Sequence, residues 1–350
     1  MNQEQTILIC PLNWGLGHAT RCVPIIKSYL DNNYRVVVAT ESPLTEFFKE
    51  IFPDIELEFL SGPSIAYNHK GSLFWKIFRQ LPGWAVWIIK ERRRIKKLSN
   101  KYRPVKIISD NRYGVRVKNT KSIIITHQLA IKLPVNLKFM EGCLHRITKY
   151  LISKFDECWI PDLETEPGLS GELSRKYPLP KNTKFVGIQS RFMIDVPEKE
   201  ISEPSFDIDI LIILSGPEPQ KSILKKHLLD LLYLSKYKIL ILTGDPHLPA
   251  DITTKGNITL YPHLSHKLFR QLIDKTPVVI SRSGYSSIMD FWYLQKNAIL
   301  IPTPGQTEQE YLAHHLEKYF SVVPQNQLDE FHLENAIATL TNKKKISCTT

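Results

Sequence analysis

Short runs of consecutive apolar residues punctuate the chain, most of them β-branched. A first series comprises TILIC (6–10), RVVVAT (35–40), VKIIS (105–109), SIIIT (122–126), ECWI (157–160) and KFVG (184–187). A second comprises DILIIL (209–214), KILIL (238–242), NITLY (257–261), PVVIS (277–281) and AILIP (298–302). The runs are continuous rather than alternating, which is how strands covered on both faces of a parallel sheet read. Helical periodicity lies between several of them, at 19–31, 43–50, 221–235, 284–295 and 307–318. Strand–helix alternation of this kind predicts right-handed βαβ units wound into doubly wound sheets.

Between the two series lies DVPEKEISEPSFD (195–207), rich in Pro and Glu and without apolar periodicity, which reads as a linker. A chain of 350 residues exceeds the size at which a single core usually stops growing. The expectation is an α/β protein with two doubly wound, Rossmann-like domains facing a cleft. The first covers 1–194 and the second 208–350, with the last helices free to pack back on the first.

Composition narrows the class. Apolar residues make up 43% and aromatics 10%, which argues against disorder. Five scattered cysteines (Cys10, Cys22, Cys143, Cys158, Cys348) form no C-x-x-C pair, as expected of a reduced, cytoplasmic protein. The start carries Glu4 and no basic segment before a long apolar run, which argues against a secretory signal. No apolar stretch approaches the ~18 residues of a spanning helix. The net charge of +11 is concentrated: eleven Lys or Arg and one acid, Glu91, lie between Lys76 and Lys106. Phe74, Trp75, Trp84 and Trp87 sit beside Arg92, Arg93, Arg94, Lys96 and Lys97, the composition of an interfacial anchor for an anionic membrane. A core helix with a solvated basic tail is the plainer reading. No nucleic-acid motif accompanies the patch, so nucleic acid is not expected as a partner.

Three segments carry candidate chemistry. After the first strand, PLNWGLGHATR places Gly15 and Gly17 where the chain must turn at the carboxyl end of a sheet, the usual ligand side. A helix starting near Ala19 or Thr20 puts His18 beside its amino terminus, where the dipole keeps an imidazole neutral and able to act as a base. A turn with an incidental histidine is the alternative. In SRSGYSSIMD (281–290), Ser283, Gly284, Ser286 and Ser287 surround a helix start suited to a phosphate, and Asp290 stands where it can accept from a ribose diol. A serine-capped helix is the alternative. In PTPGQTEQE (302–310), a rigid loop leads into Thr307, Glu308, Gln309 and Glu310, side chains that hold sugar hydroxyls or simply cap the helix.

The order of the three segments resembles the GT-B glycosyltransferases, and most closely the family of the N-acetylglucosaminyltransferase that forms lipid II (glycosyltransferase family 28, C-terminal domain). The resemblance is loose across both domains and good over 277–315. It implies a catalytic histidine at His18, a donor-side arginine at Arg191 in FVGIQSR, a nucleotide site at Arg282, Ser283, Gly284 and Asp290, and a donor-sugar contact at Gln309. Two departures stand out. The family's glycine-rich loop after the first C-terminal strand reads LSGPEPQKS, keeping Ser215 and Gly216 but adding Pro217 and Pro219. Its second glutamine is Glu310, so the sugar need not be N-acetylglucosamine. GLGHATR also resembles the loop of UDP-sugar hydrolases in which a histidine activates water.

The resemblance thus implies an inverting transfer from a nucleoside-diphosphate sugar, UDP foremost, to an acceptor hydroxyl on a lipid-linked or cell-surface glycan. Alternatives are a UDP-sugar hydrolase or epimerase of the same fold, and a non-catalytic sugar-nucleotide or lipid-binding module. No metal or other cofactor is implied. The D-x-D of 207–209 falls at the start of a core strand, the wrong end for a ligand. Arg191 and Arg282 are left to stabilise the leaving diphosphate.

Overall fold

The computed structural model describes residues 5–62, 73–195, 207–244, 252–340, 342–344 and 346, with backbone alone at 73–82, 84 and 85. The predicted linker therefore lies largely outside the described residues. Chain contacts divide the protein into two units, with the break between Ile194 and Asp195.

Unit 1 is a seven-stranded sheet of β1 (Thr6–Pro11), β2 (Arg35–Thr40), β3 (Glu56–Phe59), β4 (Lys106–Asp110), β5 (Lys121–Ile125), β6 (Glu157–Ile160) and β7 (Thr183–Phe185). Its order is β3-β2-β1-β4-β5-β6-β7, every pairing parallel. Five helices belong to it: α1 (Leu16–Asp31), α2 (Leu44–Ile51), α3 (Leu73–Tyr102), α4 (Glu141–Ile152) and the single turn α5 (Glu172–Arg175). Ile7, Leu8, Ile9, Val37, Val38, Ile107 and Ile108 are fully buried, as strands covered on both faces must be.

Unit 2 repeats the plan with β8 (Ile210–Ile213), β9 (Ile239–Leu242), β10 (Thr253–Lys255), β11 (Ile258–Tyr261), β12 (Val278–Ser281), β13 (Ile299–Leu300) and β14 (Ser321–Val322). Its order is β10-β11-β9-β8-β12-β13-β14, with only β10 antiparallel. The helices are α6 (Gln220–Leu232), α7 (His266–Lys275), α8 (Tyr285–Tyr293), α9 (Thr307–His315) and α10 (Glu330–Leu340). Leu333, Ala336 and Leu340 of α10 join the core under β8, β12 and β13.

Three strands escape the apolar-run criterion. β3 is a half-buried edge strand, β10 is exposed throughout, and β14 is two residues long. Five helices among the described residues (α3, α4, α5, α7, α10) lie outside the five periodic segments, and α1 starts three residues before the predicted position.

A buried ion pair fastens α3 to the sheet. Arg112, just past β4, donates Nε to Glu91 Oε1 at 2.7 Å, and Gly114 N donates to Glu91 Oε2 at 2.9 Å. The remaining guanidinium nitrogens donate to the carbonyls of Pro11 (3.2 Å), Leu60 (3.2 Å) and Ser61 (2.5 Å). Arg112 and Glu91 are each 2% exposed. Removing one partner leaves an uncompensated buried charge. Glu91→Gln is therefore expected to lower unfolding stability by about 3–5 kcal/mol, while an apolar Glu91→Leu/Arg112→Met double substitution loses less. Urea denaturation midpoints check the order; a single variant no worse than the double would be inconsistent with the pair as anchor.

Candidate active site

In each sheet the strand order reverses between two central strands, β1 and β4 in unit 1, β8 and β12 in unit 2. The chain leaves the carboxyl ends of these strands in opposite directions, opening the crevice where doubly wound sheets bind ligands. The site residues collect at these two places.

In unit 1 the loop after β1 carries Gly15 at φ 121°, a conformation suited to glycine, with open space where a Cβ would lie. Gly15 is the N-cap of α1, so His18 is the third residue inside the helix rather than ahead of it. Gly17 is also helical, and its carbonyl accepts from Thr20 Oγ1 at 3.0 Å. One turn on, Arg21 is 2% exposed and reaches Asp110, the last residue of β4, with its Nε 2.7 Å from Oδ2 and Nη2 on Oδ1. His18 Nδ1 lies 2.7 Å from Arg21 Nη2 and 3.3 Å from Asp110 Oδ1. Arg21 Nη1 lies 3.5 Å from His127 Nδ1, and Cys22 Sγ lies 3.7 Å from Asp110 Oδ2.

The cluster's electrostatics follow from burial. Desolvation lowers the His18 proton affinity, Arg21 lowers it further, and Asp110 opposes both. Burial and Arg21, rather than the helix dipole, thus favour the neutral imidazole. Burial alone would raise the Asp110 carboxyl; Arg21 and His18 overcome that and hold it at about 2. A guanidinium can only donate, so the 2.7 Å contact makes His18 Nδ1 an acceptor and puts the proton on Nε2. The longer approach to Asp110 requires the opposite tautomer, with Nε2 free as a base. Arg21 and Asp110 thus compete for one ring nitrogen. Asp110, Arg21 and His127 were missed in the sequence. The available signals were the acid ending the VKIIS strand and the arginine three residues after His18.

In unit 2 the predicted donor residues gather around β8 and β12, several with internal partners. Ser215 and Gly216 follow β8, with Gly216 at φ 98°, while Ser283 and Gly284 follow β12. Space is open at the Cβ positions of Gly216 and Gly284, the latter the N-cap of α8. Arg282 departs from expectation. Its side chain is buried and donates Nη1 to the carbonyls of Ile301 (3.2 Å) and Pro302 (3.3 Å), and Nη2 to that of Gln220 (3.0 Å), instead of standing open to a diphosphate. Burial lowers its pKa to about 10. Ser283 Oγ donates to Gln309 O at 2.8 Å, and Asp290 is buried in α8. Gln309 Oε1 accepts from Thr303 N and Glu310 Oε1 from Gly305 N, both at 2.9 Å, so these side chains shape the Pro302–Gln306 loop. The half-buried Gln309 keeps its amide nitrogen as a donor. Arg191 falls in unit 1, in a 3-10 turn (Arg191–Met193), with its guanidinium 5.0 Å from the Phe192 ring. Asp207 and Asp209 both engage Lys238 at the start of β8.

The aromatic and basic stretch is one helix, α3. Glu91, Ile95, Ser99 and Tyr102 face inward; Val86 (53% exposed) and Ile89 (56%) share the outer side with Lys90, Arg93 and Lys97. Arg92 and Lys96 are exposed too, and Arg94 lies 5.5 Å over the Trp87 ring. The side chains of Phe74, Trp75 and Trp84 lie outside the described residues. Among the described residues no helix is long and apolar enough to cross a membrane.

Comparison with known proteins agrees with this geometry. Residues 220–348 match the glycosyltransferase family 28 C-terminal domain. Among solved structures, the glycotransferase of kitacinnamycin superimposes with a TM-score of 0.67 at 11% identity, covering 97% of this chain and 92% of that one. The spinosyn rhamnosyltransferase SpnG gives 0.64 at 11% identity, covering 97% and 92%. MurG of Acinetobacter baumannii gives 0.51 at 11%, covering 98% and 96%. No curated protein sequence matches the chain. The shared fold is GT-B, and within unit 2 the matched domain is the glycosyltransferase family 28 C-terminal domain.

Two titrations test the cluster. His18 is expected to protonate below its ordinary 6.5, and Arg21→Leu to move that midpoint up, because a cation is removed while Asp110 stays. Histidine ring correlations against pH read both; an unmoved midpoint would separate Arg21 from His18. Both groups have folded values below their ordinary ones, so their stabilisation is present at high pH and lost on acidification. The His18 part goes as pH falls below 6.5, and the Asp110 part between 3.8 and about 2.

Proposed function

We propose that the protein transfers a sugar from a nucleoside diphosphate, UDP foremost, to an acceptor hydroxyl with inversion. Unit 2 binds the donor. The diphosphate sits over the open Gly216 and Gly284, at the start of α8, where backbone N–H groups and the helix dipole favour an anion. Arg282 acts from below. None of its three bonds goes to a carboxylate, so its charge is retained beneath the loops that hold the phosphates. Gln309 offers its amide nitrogen to the sugar, and Asp290 and Ser215 complete the donor side. SpnG has been solved with thymidine diphosphate, which supports a nucleoside diphosphate as the common ligand of this fold.

In unit 1 His18 is the base for the acceptor. The observation that carries this reading is the His18–Asp110 approach at the sheet's reversal point, 3.3 Å apart, with the carboxylate buried and the imidazole half-buried. When Nδ1 donates to Asp110, Nε2 is free to take the hydroxyl proton, and the carboxylate stabilises the imidazolium that forms. Arg21 holds the competing, donor form. Hydrolysis is the second reading: Arg21, the last residue of GLGHATR, is built into the His18 cluster, and water is then the acceptor. The outer face of α3 suits a peripheral position on an anionic cytoplasmic membrane surface and hence a lipid-linked acceptor.

UDP is expected to raise the melting temperature of the wild-type protein more than GDP, TDP or CMP does, the gain growing with concentration as mass action requires. His18→Ala should keep that UDP response and lose about 100-fold or more of turnover. Full turnover in His18→Ala removes the base; stoichiometric free sugar at high rate without acceptor moves the reading to hydrolysis.

A further inference from the structure

The opposite edge of the first sheet carries a second concentration of charge. A cavity of about 690 Å³ opens there, lined by Arg92 of α3, by residues 116–120 of the loop entering β5, by Lys121 and Ser122, by Lys154 and Asp156 before β6, and by Glu157 at its start. The amino-terminal ends of β5 and β6 form its floor, whereas Asp110 ends β4 at the carboxyl edge. A strand's length, on the order of 15 Å, separates the two edges.

Five cations (Arg92, Arg116, Lys118, Lys121, Lys154) face two carboxylates, and both carboxylates are occupied. Asp156 Oδ2 accepts from Ser122 N at 2.7 Å. Glu157 bridges Lys121 and Lys184 and accepts from Trp159 Nε1 at 2.8 Å. Arg92, Arg116 and Lys118 have no carboxylate partner among the described residues. Arg116 is half-buried, and its proton affinity is depressed first by burial and then by the like charge of Arg92. Guanidiniums brought together with no acid between them repel, and an anion lowers that cost through charge-assisted, bidentate hydrogen bonds. The charge converges from three elements around a concavity, unlike a solvated face spread along one helix.

We propose that this cavity is a binding site for a phosphate-bearing anion, with Arg92 and Arg116 as its fork and Lys118 and Lys154 closing the sides. The site lies wholly in unit 1 and is independent of the donor reading for unit 2. A free phosphate and a lipid headgroup present the same chemistry, and Arg92 belongs to the helix that exposes Val86 and Ile89.

The test uses the full chain titrated calorimetrically with inorganic phosphate, and pelleted with vesicles of phosphatidylcholine alone or with phosphatidylglycerol. Three variants are compared: Arg116→Ala, Arg92→Ala at the exposed α3 position, and Arg116→Lys. Saturable phosphate binding weakened about 10-fold in both alanine variants, and partly kept by the lysine, supports a free anion as ligand. Weak phosphate binding with phosphatidylglycerol-dependent pelleting, reduced about 10-fold by the same substitutions and competed by phosphate, supports the headgroup. Absence of both, or binding that neither alanine variant changes, overturns the site. Should Arg116→Ala fail to fold, Arg92→Ala decides alone. UDP-induced stabilisation, measured in parallel, should be unchanged in the variants.

Discussion

Four residues at the carboxyl end of β4, Ser109 to Arg112, hold the first unit's frame and its chemistry at once. Asn111 adopts φ 58°, which turns the chain within one residue, and Ser109 Oγ braces the turn through Arg112 O (2.6 Å) and Arg112 N (3.1 Å). The residues on either side of Asn111 then serve different partners. Asp110 meets Arg21 of α1; Arg112 meets Glu91 of α3 and the carbonyls at the end of β1 and just after β3. Two buried ion pairs back to back at a sheet's reversal point are costly to desolvate, and each is retained only because hydrogen bonds satisfy its remaining donors. The frame pair fixes the geometry within which the other pair sets the state of His18.

Unit 2 reaches a related solution without an acid. Arg282 also follows a central strand and is also buried, yet it donates only to main-chain carbonyls. Carbonyl dipoles engage its two terminal nitrogens and leave its net charge intact, whereas Arg21 and Arg112 are neutralised by carboxylates. A charge kept under a phosphate-binding loop acts by potential rather than by contact, and without reorganising when the ligand arrives. That difference separates Arg282, whose charge is retained under the loops after β8 and β12, from Arg21 and Arg112, whose charges are paired with Asp110 and Glu91.

Most strands and both domains were legible in the sequence, because strands covered on both faces leave continuous apolar runs such as TILIC and DILIIL. β3, β10 and β14 were not, since edge strands and two-residue strands bury too little to pattern the sequence. The site was half legible. His18, Gly284 and Gln309 lie at helix starts, next to loops whose composition departs from their surroundings. Asp110 and Arg21 do not: the first reads as the polar end of a strand and the second as one charge on a helix. Their meaning appears only when the order β1-β4 brings residues 89 positions apart into hydrogen-bond contact. Arg282 was legible as a residue but not in its role, because its partners are carbonyls and no sequence pattern marks them.

The distribution of positive charge follows the same division between neutralised and retained. Of the eleven cations between Lys76 and Lys106, Arg94 leans on Trp87, Lys101 pairs with Glu58, and Arg92 has no acid partner among the described residues. Arg116 and Lys118 come from another part of the chain to the same edge of the sheet, so the local excess exceeds what either stretch alone carries. A folding chain gains nothing from gathering like charges at one concavity; repulsion there subtracts from stability unless a ligand offsets it. Such a gathering, held opposite the edge where His18 and Asp110 meet, is the mark of binding rather than of folding.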